Sequence, residues 1–226
     1  MKVLAFDCAT NILATALETE AGISIRVFSG GLRHAELLMP TVASLLSDAG
    51  LEPSDLDLIV CGKGPGSFTG LRIAMASAKG ISAGSAVPLV SVPSLDWIAE
   101  PFRASEGLVV PVIDARKGRL YAGIYSQGKR SGDWLDLSSV DLVGRLEGRE
   151  EILFTGPDAD LLSEMAAERP GWDIDRFYRC PRPECLISLG KEAFEMRGAD
   201  SPAESPLYFR ESEADLGIQS SAGKGS

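Results

Sequence analysis

The chain has 226 residues, 45% of them hydrophobic, which is enough for one large domain or two lobes with a proper core. Its 22 Lys and Arg against 32 Asp and Glu leave a net charge of −10, spread along the chain rather than confined to a tail. That balance argues against direct gripping of nucleic acid, because phosphate contacts from Lys and Arg supply most non-specific affinity. With one histidine and four cysteines, Cys8, Cys61, Cys180 and Cys185, a four-ligand zinc centre would need nearly every candidate to converge, and none is expected. No apolar run reaches the roughly 18 residues of a membrane span. Without a signal-peptide pattern or secreted-type cysteine spacing, the expected location is the cytoplasm, with reduced thiols.

In chain order, Val3–Phe6, Leu13–Leu17 and Ile23–Val27 read as three short strands joined by turn-length links, a meander opening a mixed sheet. Between the first two lie Asp7, Cys8, Ala9 and Thr10. Asp7 and Thr10 can hold the turn by local hydrogen bonds, or they can face a bound phosphate and metal. Residues Leu32–Ala49 form an amphipathic helix with Leu38, Val42, Leu45, Leu46 and Ala49 on one stripe. Pro40 removes a backbone bond and should bend it. His34 reads as a polar residue near the helix start rather than a ligand.

A strand over Asp57–Cys61 then runs into Gly62, Gly64, Pro65 and Gly66, and a helix begins at Ser67. Three glycines in five residues allow positive φ or close backbone approach. Ser67 can cap the helix by accepting from the N–H of Thr69 or Gly70. The loop fits neither nucleotide template. No Gly-Lys-Ser/Thr follows Gly66, and the dinucleotide fingerprint begun at Gly62 or Gly64 reaches Ser67 or Thr69 where it needs glycine. Along the helix Gly70, Ala74 and Ala78 recur every four residues, with Ser77, Ile81 and Gly84 extending the face. Such a face admits another backbone closely, inside the fold or from a partner.

The run GKGPGSFTGLRIAMASAKGIS resembles the signature of the TsaB family, also called YeaZ, and RHAELLMP at Arg33–Pro40 resembles a second family motif, R-x-H-A/S-E-x-LLP. The resemblance implies a two-lobed α/β fold of the actin-like and sugar-kinase-like type, each lobe a mixed sheet with helices. It also implies a partner of TsaD in making threonylcarbamoyladenosine next to the anticodon of tRNA, with TsaE joining the assembly. A homodimer when alone is part of the same expectation. ATP and metal would sit on TsaD, with no cofactor on this chain, and tRNA would be met indirectly through TsaD.

Pro88–Val92 reads as a strand, and Ser94–Arg103 as a short helix capped by Ser94. A lobe boundary follows, giving lobes 1–104 and 105–210 and a flexible tail, 211–226. Leu108–Ile113, the turn Asp114–Arg119 and Leu120–Tyr125 form a hairpin that resembles the family's D-A-R segment and echoes the first hairpin. Where an ATP-hydrolysing member of the fold would place a phosphate turn, Asp114 is followed by Ala115, Arg116 and Lys117. Where it would place a Gly-Gly adenosine loop, only Gly156 stands. Asp7, Thr10, Asp114 and Gly156 are therefore candidate remnants of a nucleotide site. Asp158–Glu168 and Glu184–Arg197 are the remaining helices, and Pro206–Arg210 resembles the family's closing motif.

The favoured function is a non-catalytic partner of TsaD. Its interface is expected at Leu38, Val42, Leu45, Gly70, Ala74, Ser77 and Ala78, so that an arginine at Ala74 breaks association. The alternative is an ATP-dependent kinase or ATPase, for which Asp7 and Thr10 speak. A metallopeptidase lacks both an H-E-x-x-H motif and sufficient histidines.

Overall fold

The computed structural model describes residues 1–29, 33–176, 178 and 181–209. The expected helix start at Leu32, Cys180, Arg210 of the closing motif and the tail 211–226 lie outside them. The first lobe is built from strands β1 (Val3–Asp7), β2 (Ile12–Thr19), β3 (Gly22–Ser29), β4 (Leu58–Gly62) and β5 (Leu89–Val92). Its helices are α1 (His34–Asp48), α2 (Phe68–Ser85) and α3 (Ser94–Ala99). The second lobe has β6 (Leu108–Arg116), β7 (Arg119–Ala122), β8 (Tyr125–Ser126), β9 (Lys129–Arg130), β10 (Leu135–Ser138), β11 (Ile152–Thr155) and β12 (Trp172–Ile174). Helices α4 (Ser139–Leu146), α5 (Ser163–Ala167) and α6 (Glu184–Arg197) accompany it.

The first sheet has the order β3-β2-β1-β4-β5, and the main path of the second is β10-β7-β6-β11-β12. These are one topology used twice. In each, an antiparallel hairpin adds a third strand, and a parallel pair then builds outward from the first strand. The hairpin similarity noted in the sequence is thus a duplication of the whole lobe plan, the two-lobed arrangement of the actin-like and sugar-kinase-like fold.

Strand alternation divides the apolar residues into layers. On β1, Leu4 and Phe6 join Leu13, Leu17, Ile59 and Cys61 under α1 and α2. The opposite face, Val3, Ala5, Ala14, Ala16 and Val60, packs with residues of α3 and α6 and with Ile113, Ala115 and Tyr121 of the second sheet. A third cluster, including Val110, Val112, Leu142, Phe154 and Leu162, covers the far face of the second sheet. The small residues of β1 and β2 let α6 approach closely, and a Cβ on Gly190 would meet Val60 at 2.3 Å.

Chain order misplaces α6. By sequence it belongs to 105–210, yet it packs against β5, β1, β4 and β2 of the first sheet. Residues 198–200 follow it there, where Asp200 N–H donates to the Leu89 carbonyl. The helix expected over Asp158–Glu168 is a 3-10 turn, Ala159–Leu162, followed by the short α5. Ser94 caps nothing, because Pro93 holds the cap position and the Ser94 hydroxyl is used elsewhere.

Candidate functional site

The signature turn is shaped by where its glycines sit. Gly62 closes β4 so near the end of β1 that a Cβ there would lie 1.9 Å from an Asp7 carboxylate oxygen. Cβ atoms on Gly66 and Gly70 would stand 2.1 Å from the Ala9 carbonyl oxygen and 2.0 Å from that of Cys8. Ser67 donates its N–H to the Ala9 carbonyl at 2.6 Å, and its hydroxyl accepts from Gly70 N–H at 3.3 Å, the cap expected from the sequence. The turn and the first coil of α2 therefore rest directly on the Asp7–Thr10 backbone. Glycine is required there for close packing rather than for cradling a ligand.

Asp7 lies at the end of β1 and is 2% exposed. One carboxylate oxygen accepts from Ala9 N–H at 2.5 Å. The other accepts from the Ser94 hydroxyl at 2.6 Å and Trp97 Nε1–H at 2.8 Å. Ser94 Oγ in turn accepts from Gly64 N–H at 3.1 Å, and Ser94 N–H donates to the Gly64 carbonyl at 2.7 Å. A buried carboxylate held by three donors offsets its desolvation cost internally. Thr10 holds its turn locally, accepting from Ile12 N–H at 3.1 Å. Its carbonyl accepts from Nε2–H of the buried His34 at 2.7 Å, which pins the start of α1 to the turn.

The corresponding station of the second lobe is closed differently. Asp114 accepts from the N–H of Arg116 at 2.7 Å and pairs with the Arg116 guanidinium at 3.2 Å. Its own N–H donates to Asp158 at 2.8 Å. Burial pushes the Asp158 carboxyl above its ordinary value, with the Asp114 charge adding to the rise. Gly156, at φ +106°, lies against β6, where a Cβ would meet the Val112 carbonyl at 2.5 Å. Desolvation drives the phenol of the partly buried Tyr178 well above its usual range, and the charges of Asp7, Asp158 and Asp175 add to the rise. At the first station the Asp7 carboxylate is engaged by the chain's own donors, and at the second Asp114 is engaged by Arg116.

The expected partner face is corrected by the packing. Leu38, Val42, Leu45, Gly70, Ala74 and Ala78 are buried, five of them in the cluster against the first sheet. Only Ser77 is half-buried. These residues form the chain's own core, so an arginine at Ala74, which has 0% exposure, would disrupt the fold. The outward face of the helix pair carries Met39, Pro40 and Ala43 on α1 and Thr69, Arg72, Ala76, Gly80, Ala83 and Gly84 on α2. It too is rich in small residues, and a Cβ on Gly80 or Gly84 would meet nothing within 4 Å.

Burial raises the thiols of Cys8 and Cys61, and it raises that of Cys185 to about 11, so all three stay protonated and inert at neutral pH. Among the described residues no group of three or more His, Cys, Asp or Glu could hold a metal. Nor is any helix among them long and apolar enough to cross a membrane.

A duplicated two-lobed α/β fold is the arrangement of the actin-like and sugar-kinase-like class, and here its strand-end aspartate is bonded by the chain's own donors. The family model described as TsaD, tRNA N6-adenosine threonylcarbamoyltransferase, matches residues 29–197. The tRNA threonylcarbamoyladenosine biosynthesis protein TsaB of Bacillus subtilis is 32% identical, over 95% of this chain and 96% of that protein. The Escherichia coli protein of the same name is 32% identical over 59% of this chain and 58% of its own length. The structure of YeaZ from Pseudomonas aeruginosa superposes with a TM-score of 0.75 at 27% identity, covering 92% of this chain and 99% of that one. The chain belongs to the TsaB family, also called YeaZ.

The sequence finds Asp7 and Thr10 but not what closes them. Ser94 and Trp97, on α3, carry no motif that links them to Asp7 in the sequence. The one available signal is a polar serine and an indole N–H on an otherwise apolar helix face.

Proposed function

We propose that the chain takes part in making threonylcarbamoyladenosine on tRNA as a non-catalytic partner of a TsaD homologue. The observation that carries this reading is the closed Asp7 station, whose buried carboxylate is bonded by Ala9, Ser94 and Trp97. The alternative, an ATP-dependent kinase or ATPase of the same fold, needs that carboxylate free. ATP and metal then belong to the TsaD homologue, and so does most of the tRNA contact, in keeping with a net charge of −10. A TsaE homologue joins the assembled complex.

The outward face of α1 and α2 is the docking surface. Its small residues admit close approach of a partner helix, and the match to the TsaD model over 29–197 supports equivalent helices on the partner. A self-complementary face of this kind also pairs two copies about a two-fold axis when TsaD is absent. Homodimer and TsaD complex thus compete for one surface.

Sedimentation of the chain with increasing TsaD homologue tests this. Homodimer is expected to disappear as a one-to-one contact forms. Ala76→Arg, which adds an uncompensated charge on exposed α2, is expected to weaken both associations about a hundredfold. Normal association of that variant, or Mg-ATP turnover by the isolated chain, overturns the reading.

A further inference from the structure

Residues 200–209 run as an irregular strap from one lobe to the other, directly over the signature turn. The strap is anchored at β5, where Asp200 accepts from Ser91 N–H at 2.7 Å and from the Ser91 hydroxyl at 2.5 Å. Arg197 pairs with the same aspartate and donates to the Ser91 carbonyl at 2.9 Å. The strap then crosses α2. Lys79 Nζ donates to the carbonyls of Pro202 at 2.8 Å and Glu204 at 2.6 Å, and Lys63 Nζ pairs with the Glu204 carboxylate at 3.0 Å. Leu207 N–H donates to the Lys63 carbonyl at 2.7 Å, so the strap is bonded to the signature turn itself. The Tyr208 ring lies 4.9 Å from Phe68, and Arg72 stacks on Phe68 at 3.8 Å while donating to the Tyr208 hydroxyl at 3.3 Å. Phe209 ends the strap against Tyr121 of β7, at 5.4 Å between ring centroids, and Trp134, at 6.5 Å.

Lys63, Arg72 and Lys79 are three of the six basic residues in the first hundred positions of an acidic chain, and the strap engages all three. The turn that contains Lys63 is gripped from two sides. Ser94 holds Gly64 from within, and Leu207 holds Lys63 from outside. Nothing in the strap is a helix or strand that would keep it in place unaided. Beyond its Asp200 anchor, its attachment depends on the Lys63–Glu204 ion pair, the bonds from Lys79 and Arg72, one ladder-like bond from Leu207 and ring contacts, a set weaker than a packed core.

We propose that residues 200–209 are a latch that fixes the signature turn and the first coil of α2, and that its closed state is the one competent to dock a TsaD-type partner. The docking part rests on the function proposed above, because Arg72 and the 39%-exposed Tyr208 border the outward face of α2. With the latch shut, that edge of α2 is ordered before the partner arrives, and the partner does not have to order it on binding.

Two variants release the latch without touching the core: Glu204→Lys, which sets like charges against Lys63 and Lys79, and Tyr208→Ala, which removes the stack on Phe68. Amide exchange in the full chain alone is expected to speed up about tenfold over residues 62–71 in each, while β1 keeps its protection and reports that the fold is intact. Affinity for the TsaD homologue is expected to fall about tenfold. Unchanged exchange over 62–71 in a folded variant overturns the latch. Faster exchange with equal or tighter partner binding overturns its link to docking. Should the unmodified chain itself fail to bind the TsaD homologue, the functional reading falls, and the exchange measurement still decides the latch.

Discussion

Two glycines of one helix should respond to the same substitution with opposite sign. Gly→Ala inside a helix ordinarily stabilises by about 1 kcal/mol, because alanine loses less backbone freedom on folding. Gly80 on α2 is exposed and a Cβ there meets nothing within 4 Å, so Gly80→Ala is expected to gain about 0.5–1 kcal/mol. Gly70, in the first turn of the same helix, would place its Cβ 2.0 Å from the Cys8 carbonyl oxygen, which is backbone and cannot rotate away. Relieving the overlap requires the start of α2 to retreat, at an overpacking cost of about 2 kcal/mol. The same movement stretches the 2.6 Å bond from Ser67 N–H to the Ala9 carbonyl, worth about 1 kcal/mol. Set against the helix-propensity gain of about 1 kcal/mol, Gly70→Ala should lose about 2 kcal/mol net, a Tm drop of about 4–8 °C for a chain of this size. Urea denaturation followed by tryptophan fluorescence reads both variants, and a shift in midpoint at constant slope isolates the change in stability. If Gly70→Ala is as stable as the parent, the signature glycines are not there for close packing, and the closed-turn account of the site fails with them.

Asp7→Ala strands the Ser94 hydroxyl, the Trp97 indole N–H and the Ala9 N–H, and should cost about 3 kcal/mol or more; a loss under about 1 kcal/mol would show that those bonds are not formed together. Asp158→Asn keeps an acceptor for Asp114 N–H while removing a half-buried charge, and should stabilise the protein at neutral pH. Because the folded-state carboxyl is raised, the parent's deficit relative to Asp158→Asn is fully present above that raised value. It is recovered as pH falls through it and is gone below the unfolded carboxylate range. Denaturation midpoints of both proteins across the acid range check the sign, and a gap that widens on acidification refutes it.

Local chemistry alone locates much of the first lobe. Alternation places the strands that became β1, β2 and β3, the glycine run places the turn after β4, and Ser67 caps α2 as its position demands. The span of α6 also follows from sequence, Glu184–Arg197, and the resemblance of the GPGSFTG run points to the right family. Less of the second lobe is legible. Neither β10 nor α4 is among the elements the sequence predicts, although Ser138 accepting from Asp141 N–H is an ordinary cap signal. What the sequence cannot contain is which surface a stripe will meet. Leu38, Val42, Leu45, Ala74 and Ala78 have the same period whether a partner or the chain's own sheet covers them, and the structure gives them to the sheet. Periodicity specifies a face, and only three-dimensional packing specifies what lies across from it. The same holds for Asp7, which is sealed by Ser94 and Trp97 from 87 and 90 positions away, and for α6 and the strap, which follow the second lobe in the chain and pack on the first. Contacts at such separations are set by helices and chain segments closing on the first sheet, a tertiary event with no local signature in any of the residues it joins.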